Sequence, residues 1–518
     1  MKNNLYIKIK ISALCRVLKT CTLGALLVFF SACSLDVNPE DAISSGTIAN
    51  TSDGLNNVMN GNYALMKDRL VFNGTIDDNN GFLRQYYQMS DFAGDDIVCG
   101  QKTEDPFYYS FTGTHSPDQT NARFYWYLSY KIINGCNTTI QIGESLESVD
   151  EDDRQLIGEA YFLRAFMHFN LARLYATPYS HDPSKPGVIL RLSTNDPSEK
   201  ARATVGETYQ QVLDDLLTAA DLMTLDRGKA YASKEAAWAL LSRVYLYMEN
   251  HEKVVEYADL VINSGKYSLT EAANFGNYFA NTLNEPETIW AIAMTPSDNR
   301  GKFGSIASML YSDGNSGWGE EYASKTYRDL LGEHSEDVRW SVIEPLLDSN
   351  GDIALKNGIE IFYIKKFSFQ DGDPNLCSPN MLRLAEVYLN RAEAQAKLGH
   401  DLYALADVDA IRSQRRLEGA LYNGIVPSGS TALDIVLKER RLELAFEGHR
   451  VFDVFRNKQE LVREYWGYHI PGLTETAIDP ANPPVGMTNT RVNWDNPRII
   501  YFIPIDEVLA NTLCSQNQ

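Results

Sequence analysis

The sequence predicts a mainly α-helical protein: tetratricopeptide-like helical hairpins stacked into a superhelix, with a loop-rich irregular region and a few short strands beside them. Three observations predict it. Apolar residues recur at helical spacing along several long stretches. Two of these stretches are followed, after a short polar break, by a second one. The first members of the two pairs fit, closely or loosely, the W-x2-L-G-x2-Y pattern that lets adjacent helices of tetratricopeptide units approach.

The chain begins with Lys2, Lys8, Lys10, Arg16 and Lys19 and no acid, then the apolar run Leu23 to Phe30, then Ser31-Ala32-Cys33. Basic, apolar and small residues in that order predict a secretory signal over residues 1–32. The run is too short to cross a hydrocarbon core of about 30 Å. Cys33 after Ser-Ala resembles a bacterial lipobox, in which this cysteine becomes the lipid-bearing first residue, although Phe30 stands where Leu is usual. Two or three acyl chains, at about 0.8 kcal/mol per buried methylene, give stable membrane attachment. The polar stretch 34–45, with Pro39, reads as a tether.

The mature part, 33–518, is expected to form a single domain. Its N-terminal part, 33–265, holds a helix over 159–175, with Leu163, Phe166, Met167, Leu171 and Leu174 on one stripe. It also holds a helix over 235–248, in which Trp238, Leu241, Ser242 and Tyr245 match the repeat spacing, with a second helix running to Ile262. The C-terminal part, 381–518, holds the pair 381–398 and 402–413, broken at Gly399-His400, with Met381, Leu384, Ala385 and Tyr388 as the looser match. A further helix begins near Thr431. Two irregular stretches, 70–118 and 266–380, separate these blocks, crossed by short strands near Thr288–Met294 and Glu360–Phe367.

The 518 residues carry 47 Lys plus Arg against 68 Asp plus Glu, a formal charge of −21. Removing residues 1–32 takes away five bases and no acid, which sharpens it to −26. Such a surface does not suit a phosphate backbone, so nucleic acid is excluded as a partner. Cys15 and Cys21 leave with the signal. Cys99, Cys136, Cys377 and Cys514 remain without C-x-x-C spacing, so no zinc knuckle is indicated, while export permits one or two disulfides.

Catalytic signatures are absent: no G-x-S-x-G, no H-E-x-x-H, no phosphate-binding glycine loop. The His residues show no paired ligand spacing, so no metal or other cofactor is expected. Asp348, Asn350 and Asp352 imitate the start of a calcium loop, but Ile353 and Ile359 occupy its glycine and bidentate-glutamate positions, which points to a hairpin turn. Glu439 to Arg450 is dense in opposed charges at helical spacing and reads as an ion network that fixes helix packing.

The composition is rich in rings: 29 Tyr, 21 Phe and 7 Trp. Rings on loops offer flat faces on which sugars stack, with Asn, Asp and Arg to bind hydroxyls. The candidate ligand contacts are therefore the aromatic residues of the irregular stretches, Trp318, Tyr322, Tyr311, Tyr86 and Tyr87, together with Arg84.

Several segments resemble the SusD/RagB-like outer-membrane lipoproteins of Bacteroidetes. They are the lipobox Cys33, Glu159 to Phe166 continued by Leu174-Tyr175, Ala236 to Met248, Ser264-Gly265-Lys266-Tyr267 and Asn284-Glu285-Pro286-Glu287. Further along come Arg383-Leu384-Ala385-Glu386 with Asn390 to Ala394, Glu439 to Arg450 with Phe452-Asp453 and Arg456, and Ile503-Pro504-Ile505. The ending lacks the Pro-Gly-Tyr often seen in the family. The resemblance implies a non-enzymatic protein on the outer face of the outer membrane, lidding a SusC-like TonB-dependent transporter and capturing oligosaccharides or polysaccharide. In the RagB branch the cargo is peptide. A lipid-anchored glycoside hydrolase and an assembly scaffold stay open as other classes. The shared motifs are mainly scaffold, so they assign no binding residue.

Overall fold

Most long helices start where the sequence supplies a cap. Thr51 accepts from the Gly54 amide ahead of α1 (Ser52–Leu65), while α2 (Phe82–Ser90) follows Gly81 without a side-chain cap. The long helix α3 (Thr120–Ser145) leads to Asp150, which opens α4 (Glu151–Tyr175) in a reciprocal capping box with Asp153. Thr204 and Glu207 do the same for α5 (Val205–Leu222). Ser233 caps α6 (Lys234–Tyr247) and Asn250 caps α7 (His251–Ile262). After the irregular region come α8 (Leu384–Lys397), α9 (Asp401–Ser413), and α10 (Ala432–Leu444) with its Thr431–Asp434 box, then α11 (Arg450–Arg456). The structure, a computed structural model, describes residues 51–100, 108–463 and 491–517. The signal segment, Cys33 and the tether lie outside the described residues.

Each helix packs on the next: α3 on α4, α4 on α5, α5 on α6, α6 on α7, α7 on α8, α8 on α9 and α10. This is the expected stack of hairpins. Ser242, at the small-residue position of the repeat pattern, is fully buried and receives a 3.0 Å bond from Asn390 of α8. One residue on, Arg243 forks onto Glu386 at 2.5 and 2.6 Å, fastening α6 to α8. Residues Asn50–Gln518 form one contact unit.

The structure differs from the sequence reading in several places: the helix read over 159–175 begins at Glu151, and α1, α3 and α5 are not among the helices that reading expects. Met381 and its neighbours are not helical: Asn380–Arg383 is a strand, antiparallel to Thr288–Ala291, and α8 starts at Leu384. An apolar run that enters a helix directly carries no signal for the change of period. The stretch 70–118 is also more regular than expected, with a hairpin of Arg69–Phe72 and Thr75–Gly81, the helix α2 and the strand Ile97–Cys99. The strands expected near 288 and 360 are present, shorter, as Thr288–Ala291 and as Ile359–Glu360 with Phe362–Ile364. At Asp348 the chain turns as a hairpin, the Asp348 carboxylate accepting from the Asn350 and Asp352 amides. All four described cysteines are buried free thiols.

The charges of Glu439 to Arg450 enter the core. Arg339 and Arg412 meet on Glu439 at 2.7 and 2.9 Å. Arg383 and Arg415 each reach Glu443 at 2.7 Å and share Glu287. Glu447 takes Arg383 and Lys366, both at 2.7 Å, and Asp337 completes the set on Arg339. Five cations thus meet five carboxylates out of solvent, linking α10, α9, the strand before α8 and the irregular region. Such pairs add little net stability against an apolar core but cost several kcal/mol when one partner is removed, so they specify one packing. Gly448 follows with φ +78°, its amide donating to both Asp91 oxygens at 3.0 Å. A Cβ there would lie 2.9 Å from the Tyr86 ring.

Burial also sets the acid response. His168, inside α4, is pushed down to about 3 by burial, with Arg164 adding to the shift, and His115 is pushed down to about 4 by burial. Unfolded histidine titrates near 6.5. Both rings therefore stay neutral in the fold while the unfolded chain takes protons, so their contribution is intact above pH 6.5 and is lost as pH falls toward 4. Buried Asp91 and Asp215 shift upward and act in the opposite sense. The comparison that isolates the histidine is His168→Leu against wild type in denaturant titrations at pH 7, 6 and 5. Wild type is expected to lose more stability than the variant, by about 0.7 kcal/mol from pH 7 to 6 and about 1.2 kcal/mol from pH 6 to 5. Parallel curves would mean that His168 is not held neutral.

Candidate functional site

The structure separates the candidate ligand contacts into two groups. Arg84, Tyr86 and Tyr87 lie on α2, all 3% exposed or less. Phe82 stacks on Tyr125 of α3 at 5.4 Å, Tyr87 sits edge-on to Phe367 at 4.6 Å, and the Tyr86 hydroxyl accepts from Arg173 of α4 at 3.1 Å. These side chains pack the helix between the hairpin stack and the irregular region, leaving no ring face for a ligand. Arg84 borders a cavity of about 40 Å3 with Asp298, Arg300 and Asn375, room for about one water and too small for a sugar. Tyr322, 1% exposed, is also enclosed: its strand Glu321–Ala323 pairs with Ile97–Cys99, setting it opposite Val98.

Tyr311 and Trp318 remain half-exposed on one loop. The short helix Ile306–Leu310, capped by Ser305, ends at Tyr311 and the chain folds back. The Trp318 and Gly319 amides bond the Ser308 carbonyl at 2.6 and 2.8 Å, and the Glu320 amide bonds Met309. Between them the Asp313 carboxylate accepts from the Asn315 and Ser316 amides at 2.8 and 2.6 Å, which holds it below the usual carboxylate range. Gly317 permits the reversal, because a Cβ there would overlap the Tyr311 carbonyl.

The rings beneath form a ladder. Phe369 lies 4.9 Å from Tyr311, Tyr311 5.4 Å from Tyr363, and Tyr363 5.9 Å from Tyr322. Exposure declines along it, from 36% at Phe369 through half-buried Tyr311 to 8% at Tyr363 and 1% at Tyr322. The buried end anchors the exposed end. Phe369 has φ +76°, a conformation that costs a large side chain energy and presents its ring at the surface. Burial raises the Tyr311 phenol, with Glu344 and Asp313 adding; it also raises Tyr363, with Glu320 adding. Both hydroxyls stay protonated, able to donate and accept. Glu320 and Glu344 are engaged by Lys356 and Lys365 at 2.6 and 2.9 Å.

Of the sequence candidates, Tyr311 and Trp318 keep partial exposure, in a stretch with many Gly and Asn; Tyr363 and Phe369, which flank Tyr311, were not among the candidates. Phe369 had one usable signal, the Gln370-Asp371-Gly372 turn behind it. Chemically, the loop that carries Tyr311 and Trp318, together with the ladder behind Tyr311, forms a platform that offers partly exposed rings, neutral phenols and a polar rim. Among the described residues no group of three or more His, Cys, Asp or Glu is placed to hold a metal ion, and no helix is long and apolar enough to cross a membrane.

Two family descriptions match the chain, "Starch-binding associating with outer membrane" over residues 35–246 and "SusD family" over residues 353–518. SusD-like protein P38 of Formosa agariphila is 23% identical, the match covering 91% of this chain and 95% of the relative. A SusD superfamily protein of Bacteroides thetaiotaomicron, solved by crystallography, superposes with a TM-score of 0.78 at 27% identity, covering 90% of this chain and 99% of that one. A SusD-like carbohydrate binding protein of Bacteroides vulgatus shares the fold with a TM-score of 0.71 at 22% identity, covering 89% and 97%. The stacked hairpins, the buried Glu439–Arg450 network and these matches give one answer: the chain belongs to the SusD/RagB-like family.

Proposed function

We propose that the protein is a cell-surface lipoprotein that captures neutral oligosaccharides or polysaccharide on the Tyr311–Trp318 platform and delivers them to a SusC-like TonB-dependent transporter. The observation that carries this reading is the ladder from Phe369 to Tyr322, in which the partly exposed rings of Phe369 and Tyr311 rest on the buried rings of Tyr363 and Tyr322. Rigid rings lose little entropy when a sugar stacks on them. The family description as starch-binding and outer-membrane associated supports both ligand class and location. Net acidity favours a neutral cargo over a polyanion.

Purified protein titrated with glycan and peptide panels tests the ligand class. Binding to glycans without sugar release is expected; binding to peptides alone would transfer the protein to the peptide-capturing branch, and sugar release would make it a hydrolase. The tether is tested at Cys33. Cys33→Ala is expected to move the protein from the outer-membrane fraction to the soluble fraction, and a variant that stays in the membrane would remove Cys33 as the anchor.

A further inference from the structure

A second concave site lies between α3, the turn Phe72–Gly74 and the C-terminal helix Ile505–Ala510. Its volume is about 800 Å3, within the range of small-molecule sites, and it shares no lining residue with the platform. Phe72, Trp126, Tyr127 and Tyr130 wall it. Tyr127 is 39% exposed and leans on Phe72 at 5.4 Å with a tilt of 40°, while Trp126 meets Tyr130 at 4.9 Å.

The polar groups are already arranged. Arg123 forks onto Asp506 at 2.6 and 2.8 Å, its guanidinium 5.6 Å from the Phe72 ring centre, and Asp506 keeps 52% of its side chain exposed. The Arg123 bond holds Asp506 below the usual carboxylate range, so the pair stays ionised. Glu507 accepts from the Trp126 indole at 3.3 Å and from Asn511 at 2.9 Å. The tail that carries both acids is fastened, with Ile505 bonded to Pro117, Tyr501 to Leu174 and Asn517 to the Tyr175 carbonyl. Arg123 and Lys131 balance Asp506 and Glu507, so the cleft has no net charge with which to select an ion. An exposed ring beside a fixed carboxylate–guanidinium fork suits a sugar, which offers an apolar face to the ring and paired hydroxyls to the fork.

We infer that this cleft is a second carbohydrate site, taking roughly two or three sugar rings of a neutral chain, with Tyr127 as the stacking face and Arg123–Asp506 as the hydroxyl-binding pair. The inference rests on the glycan-capture reading for its ligand class. Two sites on one protein hold a long glycan by avidity although each binds weakly.

The test is calorimetric titration of the purified protein with short linear oligosaccharides of defined linkage (maltotriose, cellotriose, xylotriose, laminaritriose), followed by the parent polymer of the one that binds. Wild type is expected to bind two copies of the trisaccharide. Tyr127→Ala and Asp506→Asn are each expected to bind one, and to hold the polymer at least tenfold more weakly, with unchanged thermal unfolding. Trp318→Ala is expected to keep the cleft's copy. Wild-type stoichiometry in both cleft variants would overturn the second site while leaving the platform intact. Loss of transporter association in Tyr127→Ala with glycan stoichiometry unchanged would also overturn it, making the cleft a protein interface. If wild type binds no glycan while binding peptides, the capture reading and this inference fail together.

Discussion

Glu443→Ala is expected to destabilise the protein by about 3–5 kcal/mol, or to prevent folding. The carboxylate sits in α10 with no exposed side chain, accepting from Arg383 at 2.7 Å and from Arg415 at 2.7 and 3.0 Å, with Arg339 at 3.4 Å. Burial alone would raise its pKa, but Arg415 and Arg383 outweigh burial and hold it well below the usual range. Removing it leaves Arg415 with Glu287 at 3.4 Å as its one remaining carboxylate among the described residues. Because the folded value is depressed, this contribution is present above the unfolded carboxylate range near pH 4.3 and is lost only as pH falls through the lower folded value. Urea denaturation checks the size of the effect, with Lys325→Ala as the contrast. Lys325 pairs with Asp329 at i,i+4 in solvent, and its loss is expected to cost no more than about 0.5 kcal/mol. Equal effects from the two variants would show that the buried network does not specify the packing.

Gly317→Ala is expected to reduce affinity for the parent glycan polymer by tenfold or more, about 1.4 kcal/mol, with little change in the unfolding midpoint. The added Cβ would overlap the Tyr311 carbonyl oxygen, lie 2.9 Å from the carbonyl carbon and 3.1 Å from the Ser312 Cα, all backbone atoms that cannot swing aside. The loop must open, which moves Tyr311 and Trp318 apart while the hairpin stack stays untouched. Trp318→Ala should by itself remove a kcal/mol or more if its ring stacks on the ligand. Full affinity in Gly317→Ala would mean that the shape of this loop does not matter to binding.

The scaffold was legible where an apolar stripe or a capping residue marked a helix locally. The stripe of α4 and the Thr431 start of α10 needed only residues close in sequence. The strand Asn380–Arg383 was not legible, because its partner Thr288–Ala291 lies far upstream and its apolar run continues into α8. In the Glu439–Arg450 segment the local charge spacing announced a network, whereas Arg339, Arg383 and Glu287 come from distant segments. For the site, rings in a stretch with many Gly and Asn made Tyr311, Trp318 and Tyr322 candidates. The enclosure of Tyr86 depends on Gly448 and Arg173, and that of Tyr322 on Tyr363, neighbours that only the folded chain supplies. Exposure is a tertiary property, and aromatic content alone does not report it.

The Tyr311–Trp318 platform is proposed as a glycan-binding face. Its most direct test is the equilibrium affinity and stoichiometry of the purified protein for a panel of soluble glycans, measured for wild type and for the Tyr311→Ala/Trp318→Ala double variant with circular dichroism as the folding control. Wild type is expected to bind at least one glycan class, and the folded double variant is expected to lose the platform's copy of a short oligosaccharide and to hold the parent polymer at least tenfold more weakly. Equal oligosaccharide stoichiometry and equal polymer affinity in the two folded proteins would contradict it.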